Sequence, residues 1–163
     1  MRTLVLGIGN PILGDDGVGF HIARELAKEI KDKNIDVKDT SADGLNLLEL
    51  IMGYDKLIVI DAIMTEDEKV GEIYRLKPEG AGKPARSTVS PHHLNLATTI
   101  EIGKKLFAEQ MPEEIIVFGI GTQQVATVTE EMTAKVKEAI PQVISLVLAE
   151  LGYGKLAKAS RVS

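Results

Sequence analysis

The sequence of 163 residues has no cysteine and no tryptophan, and only 4% of its residues are aromatic. Without cysteine there can be no disulfide, no thiolate nucleophile and no cysteine-ligated zinc or iron–sulfur centre. Such a small number of aromatic side chains disfavours the stacking surfaces that bind single-stranded nucleic acid. These absences remove several classes of site at once.

Positive charge and long apolar runs are also scarce. The chain has 19 Lys and Arg against 24 Asp and Glu, a net charge of −5, which disfavours polyanionic partners and anionic membranes. No apolar run is long enough to cross a bilayer, and Met1–Thr3 leads into apolar sequence without the pattern of a signal peptide. We therefore expect no nucleic-acid partner, no membrane association and a cytoplasmic location.

The glycine-rich stretch Gly7–Gly17 (GIGNPILGDDG) connects a predicted strand to a predicted helix. The apolar run at 2–6 is typical of a buried strand, and an apolar stripe at helical spacing follows: Val18, Ile22, Leu26 and Ile30. The stretch therefore lies at the carboxyl edge of a parallel sheet, where open α/β sheets bind their ligands. It brings two adjacent carboxylates, Asp15 and Asp16, to that edge.

The rest of the pattern alternates strands with helices. Strands are predicted at 35–39, 57–60, 71–76 and 115–118, and helices begin at Gly44, at Ser90 and near Met132. The 71–76 run follows Asp61 too closely for a crossover helix, so it is predicted to be an antiparallel or edge strand. We predict a three-layer α/β/α sandwich around a mostly parallel twisted sheet of about five strands.

The predicted domain spans residues 1–152, followed by a flexible tail at 153–163, and a mobile loop is expected at 78–90. His21 is expected on a solvated helix face, and Pro141 is expected to kink the last helix. The helices are predicted to bury three further sets of residues. These are Leu45, Leu48 and Met52; then Leu96, Ile100, Gly103 and Phe107; and finally Met132, Val136, Ala139, Val143 and Leu146.

Three side chains are predicted to meet at the carboxyl edge of the sheet: Asp16 in the first loop, Asp61 after the central strand, and His92 in the first turn of a later helix. Two carboxylates and one imidazole suit a divalent ion such as nickel, zinc or manganese. The partial positive charge of a helix N-terminus favours the neutral ring that a ligand needs. The structural alternatives are that Asp15 and Asp16 cap a helix, that Asp61 is a turn residue, and that His92 is solvated.

The combined motifs resemble one family. Leu4–Pro11 with Gly14–Gly19, then Ile60-Asp61-Ala62 and Ser90-Pro91-His92, are similar to the maturation endopeptidases of nickel-iron hydrogenases. The resemblance runs from residue 1 to about residue 150. It implies a compact α/β/α hydrolase that removes the C-terminal extension of the hydrogenase large-subunit precursor once nickel is inserted.

The resemblance also implies the roles of individual residues. Asp16, Asp61 and His92 correspond to the residues that contact the metal, and we take them as the catalytic and metal-contacting set. His93 takes the place of His92 if the correspondence is shifted by one residue. The nickel arrives in the substrate precursor, and other divalent ions can occupy the site. The metal could polarise the scissile carbonyl or activate water, or an Asp could act as general base. A monomer is the working expectation.

Two other functions stay open at this stage. A peptidyl-tRNA hydrolase shares the opening Gly-x-Gly-Asn-Pro, although the negative net charge is unfavourable for a tRNA substrate. A nickel-dependent chaperone would dock on the precursor without cutting it. Loss of the C-terminal extension from a nickel-loaded precursor would separate hydrolysis from binding alone.

Overall fold

The computed structural model describes residues 1–65, 69–78, 91–123 and 128–153, with the backbone alone at 91–95. Within these ranges the chain forms a five-stranded sheet of order β2-β1-β3-β5-β4. Four strands are parallel and β4 runs antiparallel to β5. The strands are β1 (Thr3–Ile8), β2 (Ile35–Thr40), β3 (Lys56–Met64), β4 (Ile73–Leu76) and β5 (Glu114–Thr122).

Helices cover both faces of this sheet. They are α1 (Val18–Glu29), α2 (Gly44–Ile51), α3 (Pro91–Leu106) and α4 (Ala134–Glu150), with short 3-10 turns at Gly14–Gly17 and Ala108–Gln110. Helix α1 packs with α4 on one face, and α2 packs with α3 on the other. The predicted three-layer α/β/α sandwich around a mostly parallel sheet is confirmed.

Each face of the sheet has its own apolar core, and β3 contributes to both. Ile58 and Ile60 belong to the cluster under α1 and α4, whereas Leu57 and Val59 belong to the cluster under α2 and α3. This follows from the alternation of side chains along a strand. Because both faces of the sheet are covered, the segment 57–60 of β3 is apolar at every position, as the sequence predicted for a central parallel strand.

The antiparallel prediction for the 71–76 run is confirmed in its pairing, with the strand shortened to Ile73–Leu76. Its residues Ile73 and Leu76 pair with Ile120 and Val117 of β5. It is an edge strand, because β5 is the single strand beside it in the order of the sheet. A connection too short for a crossover helix therefore predicted the strand direction correctly.

Three of the residues predicted to face the core are exposed instead: Leu45, Phe107 and Leu146. Helix α2 buries Leu47, Leu48 and Ile51, so Leu45 falls outside its inner face. Helix α3 ends at Leu106, before Phe107. In α4 the buried residue after Val143 is Val147, four positions on, and Leu146 therefore faces outward.

Some predictions concern the ends of elements. Met132 precedes α4, which begins at Ala134 and continues through Pro141. Tyr153, placed at the start of the predicted tail, packs half-buried against the core under α1 and α4. Of the predicted loop at 78–90 and the predicted tail at 153–163, residues 79–90 and 154–163 lie outside the described residues. Among the helices that the structure describes, none is long and apolar enough to span a membrane.

Candidate functional site

Asp61 lies inside β3, not after it as predicted, and its exposed fraction is 0%. The strand continues through Ala62, Ile63 and Met64 because β5 pairs with it as far as Thr122. Asp61 pairs with Ile8, the last residue of β1. It therefore lies level with the carboxyl end of β1, at the edge where the sequence placed it.

The strands of the sheet end at two different levels, and Asp61 lies at the level where the shorter strands end. Strands β1 and β2 end together at Ile8 and Thr40, while β3 and β5 continue for three more residue pairs beyond Asp61. Asp61 also falls in the alternation of Leu57 and Val59, which face α2 and α3. The carboxylate is thus carried on the α3 side of the sheet, at the level where two neighbouring strands stop.

Asp16 lies in the 3-10 turn Gly14–Gly17, directly after β1. Its Oδ2 accepts a hydrogen bond of 2.9 Å from the backbone N–H of Asn10, and the carboxylate is half-buried. The turn contacts β3, the strand that carries Asp61. The structure therefore brings the elements of Asp16 and Asp61 together at one edge of the sheet.

Because Gly19 has no side chain, helix α1 packs directly against the backbone of β1 and β3. A Cβ atom on Gly19 would lie 2.4 Å from the carbonyl oxygen of Ile60 and 2.7 Å from that of Ile8. Both distances are far below van der Waals contact, so only glycine fits there. The first turn of α1 therefore rests on the last residue of β1 and on Ile60 within β3, the residue before Asp61.

Asp15 has a different environment from its neighbour. It is 5% exposed, and its two carboxylate oxygens accept hydrogen bonds from the backbone N–H (2.7 Å) and hydroxyl (3.1 Å) of Thr133. Thr133 is the residue that precedes α4. Helix α1, whose N-cap is Gly17, has no side-chain cap. Asp15 therefore binds the residue that begins a helix, but this helix is the distant α4 and not the adjacent α1.

The three histidines are placed differently. His92 lies in the first turn of α3, as predicted, four residues before the buried Leu96; the side chains of His92 and His93 lie outside the described residues. His21, predicted to be solvated, has a buried Nε2 with no hydrogen-bond partner among the described residues. Its ring packs edge-on against Phe20 at 5.4 Å between centroids. No group of three His, Asp or Glu side chains suited to a metal occurs within the described residues.

Sequence reasoning missed two contributors to this edge, the backbone N–H of Asn10 and the side chain of Thr133. A threonine before an apolar helical stripe is an N-cap signal, and it could have drawn attention to Thr133. Its pairing with Asp15, 118 positions away, has no local sequence pattern. The N–H of Asn10 carries no side-chain signal at all.

Fold and site define an α/β/α protein of the parallel-sheet class, with acidic side chains at the carboxyl edge where such proteins bind ligands. Residues 20–150 match the family described as hydrogenase maturation protease. This match covers most of the chain, and the chain belongs to the hydrogenase maturation protease family. It is therefore a hydrolase of the endopeptidase type, and not a peptidyl-tRNA hydrolase.

Individual relatives agree with this assignment. The hydrogenase 2 maturation protease of Escherichia coli is 28% identical over 149 residues, which cover 89% of this chain and 90% of that protein. The structure of the hydrogenase maturating endopeptidase HybD from E. coli superposes with a TM-score of 0.78 at 27% identity, covering 93% and 92% of the two chains. A HybD from Thermococcus kodakarensis, at 22% identity, covers 90% and 97% with a TM-score of 0.72 and supports the fold.

Proposed function

We propose that this endopeptidase removes the C-terminal extension of a nickel-iron hydrogenase large-subunit precursor after nickel insertion, and that it recognises the nickel in that precursor. Membership of the maturation protease family supports the type of reaction. The single observation that carries the nickel-recognition step is the placement of Asp16 and Asp61 on contacting elements at one sheet edge. Carboxylates together with an imidazole are suitable ligands for nickel.

Asp61 would contact the metal from β3, and Asp16 would contact it from the 3-10 turn after β1. Asp61 is held on a rigid central strand and is fully buried in the free protein. In such a poorly hydrated position a carboxylate attracts a divalent cation more strongly than it would in water. Asp16 is half-buried on the turn beside it, so it is accessible to a metal that arrives with another protein.

His92 would supply the third contact, or His93 if the correspondence with the family is shifted by one residue. Its position in the first turn of α3 supports this role, because the helix dipole disfavours a positively charged imidazole and keeps the ring available as a ligand. Other divalent ions could occupy the same three residues in the absence of the precursor.

Contact with the substrate's nickel would make cleavage conditional on a loaded precursor. The metal could then polarise the scissile carbonyl or activate water, or one of the two aspartates could act as general base. Asp16, Asp61 and His92 therefore serve both recognition and catalysis in this proposal. A cytoplasmic location and a monomeric state stay predictions.

The test uses a purified hydrogenase large-subunit precursor with and without nickel, and mass spectrometry to follow the loss of the C-terminal extension. We expect the protein to shorten only the nickel-loaded precursor. The variants Asp16→Asn, Asp61→Asn and His92→Ala should each lower the cleavage rate by at least about 100-fold, since a lost ligand costs more than a lost second-sphere contact. Glu138→Gln, a neutralised exposed carboxylate on α4, is the matched control and should cleave normally.

The possible contrary results point to different errors. Binding of the loaded precursor without any change in its mass would favour the chaperone over the protease. Equal cleavage of precursor with and without nickel would refute metal recognition. Normal cleavage by any one of the three variants would remove that residue from the site.

A further inference from the structure

A part-buried contact between Asp15 and Thr133 joins two segments that lie 118 positions apart in the chain. Asp15 is 5% exposed, and Thr133 donates to both of its carboxylate oxygens at 2.7 and 3.1 Å. Hydrogen bonds to a charged group are stronger than those between neutral groups, and two from one residue also fix geometry. The contact therefore fastens the 3-10 turn after β1 to the residue that begins α4.

Backbone hydrogen bonds extend this contact along the chain. Thr129 donates its N–H to the carbonyl oxygen of Ile12 at 2.8 Å, and its own carbonyl accepts from Gly14 at 2.7 Å. Leu13 and Thr129 form a parallel bridge. We call the hydrogen-bonded pair of segments 12–15 and 129–133 the clasp. It holds the loop that precedes Asp16 at several consecutive residues.

Asp16 is linked directly to the clasp. It follows Asp15 in a single 3-10 turn, its N–H donates to the carbonyl of Leu13 at 3.2 Å, and its Oδ2 accepts from Asn10 at 2.9 Å. Leu13 and Asp15 are both clasp residues. A shift of this turn by about 1 Å is enough to lower the rate of an enzyme strongly when a reacting group moves with it.

We propose that Asp15 is a positioning residue for the cleavage reaction: through Thr133 it holds the 3-10 turn, and with it Asp16, at the distance from Asp61 that the substrate's nickel requires. This rests on the proposed function, in which Asp16 and Asp61 contact that metal. Asp15 itself touches neither the metal nor the peptide. Its effect is on the rate of the reaction with bound substrate, not on the docking of the precursor.

The test is a set of matched substitutions at Thr133. Thr133→Val keeps the shape and the backbone N–H but removes the hydroxyl that donates to Asp15; Thr133→Ser keeps both donors. For Thr133→Val we expect kcat to fall about 10-fold with KM nearly unchanged, in the range of lost second-sphere contacts. Amide hydrogen exchange at 14–17 should become faster by about 10-fold, in proportion to a lost hydrogen bond to a charged group. Thr133→Ser should restore both values.

Asp15→Ala examines the same contact from the other partner, since it removes both acceptor oxygens. It should show at least the same loss of kcat, and combining it with Thr133→Val should add little, as expected for two changes to one interaction. Circular dichroism and urea unfolding establish that each variant is folded.

Two outcomes would overturn the inference. Unchanged exchange at 14–17 in folded Thr133→Val would show that the clasp does not hold the turn, and faster exchange with a wild-type kcat would show that the turn's position does not affect the reaction. Failure of the proposed function looks different, because the wild-type protein would then cleave no loaded precursor. In that case the exchange rates still decide whether Thr133 holds the turn, and unchanged rates still overturn the inference.

Discussion

Three carboxylates near the carboxyl edge of the sheet have three different surroundings. Asp61 is buried in a central strand, Asp16 is oriented by a backbone N–H, and Asp15 is bound on both oxygens by one threonine. The residue type is the same in each case. The hydrogen-bonding partner and the burial, and not the chemistry of the side chain, therefore distinguish the acid that binds α4 from the two acids of the proposed site.

Gly19 gives a residue-scale prediction in which two effects have opposite signs. By helix propensity alone, Gly19→Ala in α1 would stabilise the protein by about 1 kcal/mol. The added Cβ would however meet the carbonyl oxygens of Ile60 and Ile8 at 2.4 and 2.7 Å. Because both are backbone atoms of the sheet and cannot rotate away, we expect a net loss of about 1–3 kcal/mol in the free energy of unfolding.

Urea unfolding of wild-type and Gly19→Ala protein measures the sign directly. Gly14→Ala is a useful comparison, because Gly14 has a φ of +58° and its cost comes from backbone strain, at about 1–2 kcal/mol. An increase in stability for Gly19→Ala would contradict the close packing of α1 on the sheet.

Asp36 gives a prediction for pH. The hydroxyl of Tyr54 donates to its Oδ2, and this hydrogen bond is the main cause that holds the pKa of Asp36 below its ordinary value. The charges of Arg2 and Lys38 act in the same direction, while partial burial opposes them. A pKa that is lower in the folded than in the unfolded state stabilises the fold above the unfolded value, and this contribution is lost as the pH falls through the folded value.

We therefore expect Tyr54→Phe to raise the pKa of Asp36 toward the ordinary value of about 4 and to weaken the acid dependence of stability in that range. The effect on stability should be small, because the side chain of Asp36 is 39% exposed and solvent screens it. An NMR titration of Asp36 measures the shift. Tyr74→Phe, which removes a hydroxyl that donates to Glu72, is the control, and a pKa unchanged by Tyr54→Phe would contradict the assigned cause.

At the scale of elements, hydrophobic periodicity predicted which strands and helices exist, and was weaker on where they end. The apolar run 57–60 identified the central strand, but β3 extends to Met64 because its backbone pairs with β5 beyond the charged Asp61. Likewise Leu146 fits a helical spacing, yet the inner face of α4 passes through Val143 and Val147. Register between neighbouring elements decides such positions, and a single sequence does not contain it.

The sequence predicted which residues of the candidate site lie at the sheet edge, but not how they are held there. Asp16 and Asp61 could be placed at one sheet edge because each follows or ends a predicted parallel strand. The pairing of Asp15 with Thr133 could not, since it joins residues 118 positions apart through a loop conformation that no periodic pattern encodes. Local rules identify candidates for a site, and long-range packing then determines which of two adjacent acids is used for structure.

The contact between the end of α4 and the start of β3 gives a prediction at this scale. Lys56, whose side chain is 9% exposed, contacts Glu150 at 3.2 Å and Glu114 at 3.6 Å. Glu150 is 22% exposed and also binds Arg75, whereas Glu114 is 54% exposed. We expect Glu150→Gln to lower the free energy of unfolding by about 1–3 kcal/mol, because it weakens the main partner of a buried cation.

Glu114→Gln is the matched control and should cost less than about 1 kcal/mol, as is usual for exposed ion pairs. Both values come from urea unfolding at the same pH and salt concentration. Equal losses for the two variants would show that burial does not distinguish these ion pairs, and that α4 is not fastened to β3 by Glu150.

For the molecule as a whole, the strands of the sheet differ in how many strands pair with them and in how deeply they are buried. The central strand β3 pairs with β1 and β5 and is buried almost throughout. The edge strands are half-buried in places, and β4 has four residues and one neighbour. The proposed site lies at the centre of this arrangement, where Asp61 belongs to the best-supported strand and is least able to move.

This difference predicts an order of protection in native-state hydrogen exchange. Amides of β3 should exchange only on global unfolding, because each is enclosed by two neighbouring strands and two helical layers. Amides of β4 should exchange through local opening, with a lower free energy and little dependence on denaturant, since opening an edge strand exposes little apolar area. Exchange measured by NMR at several low urea concentrations separates the two cases. Equal, strongly denaturant-dependent exchange in β3 and β4 would mean that the sheet opens only as one unit, and that the rigidity assigned to Asp61 extends to the edge of the sheet.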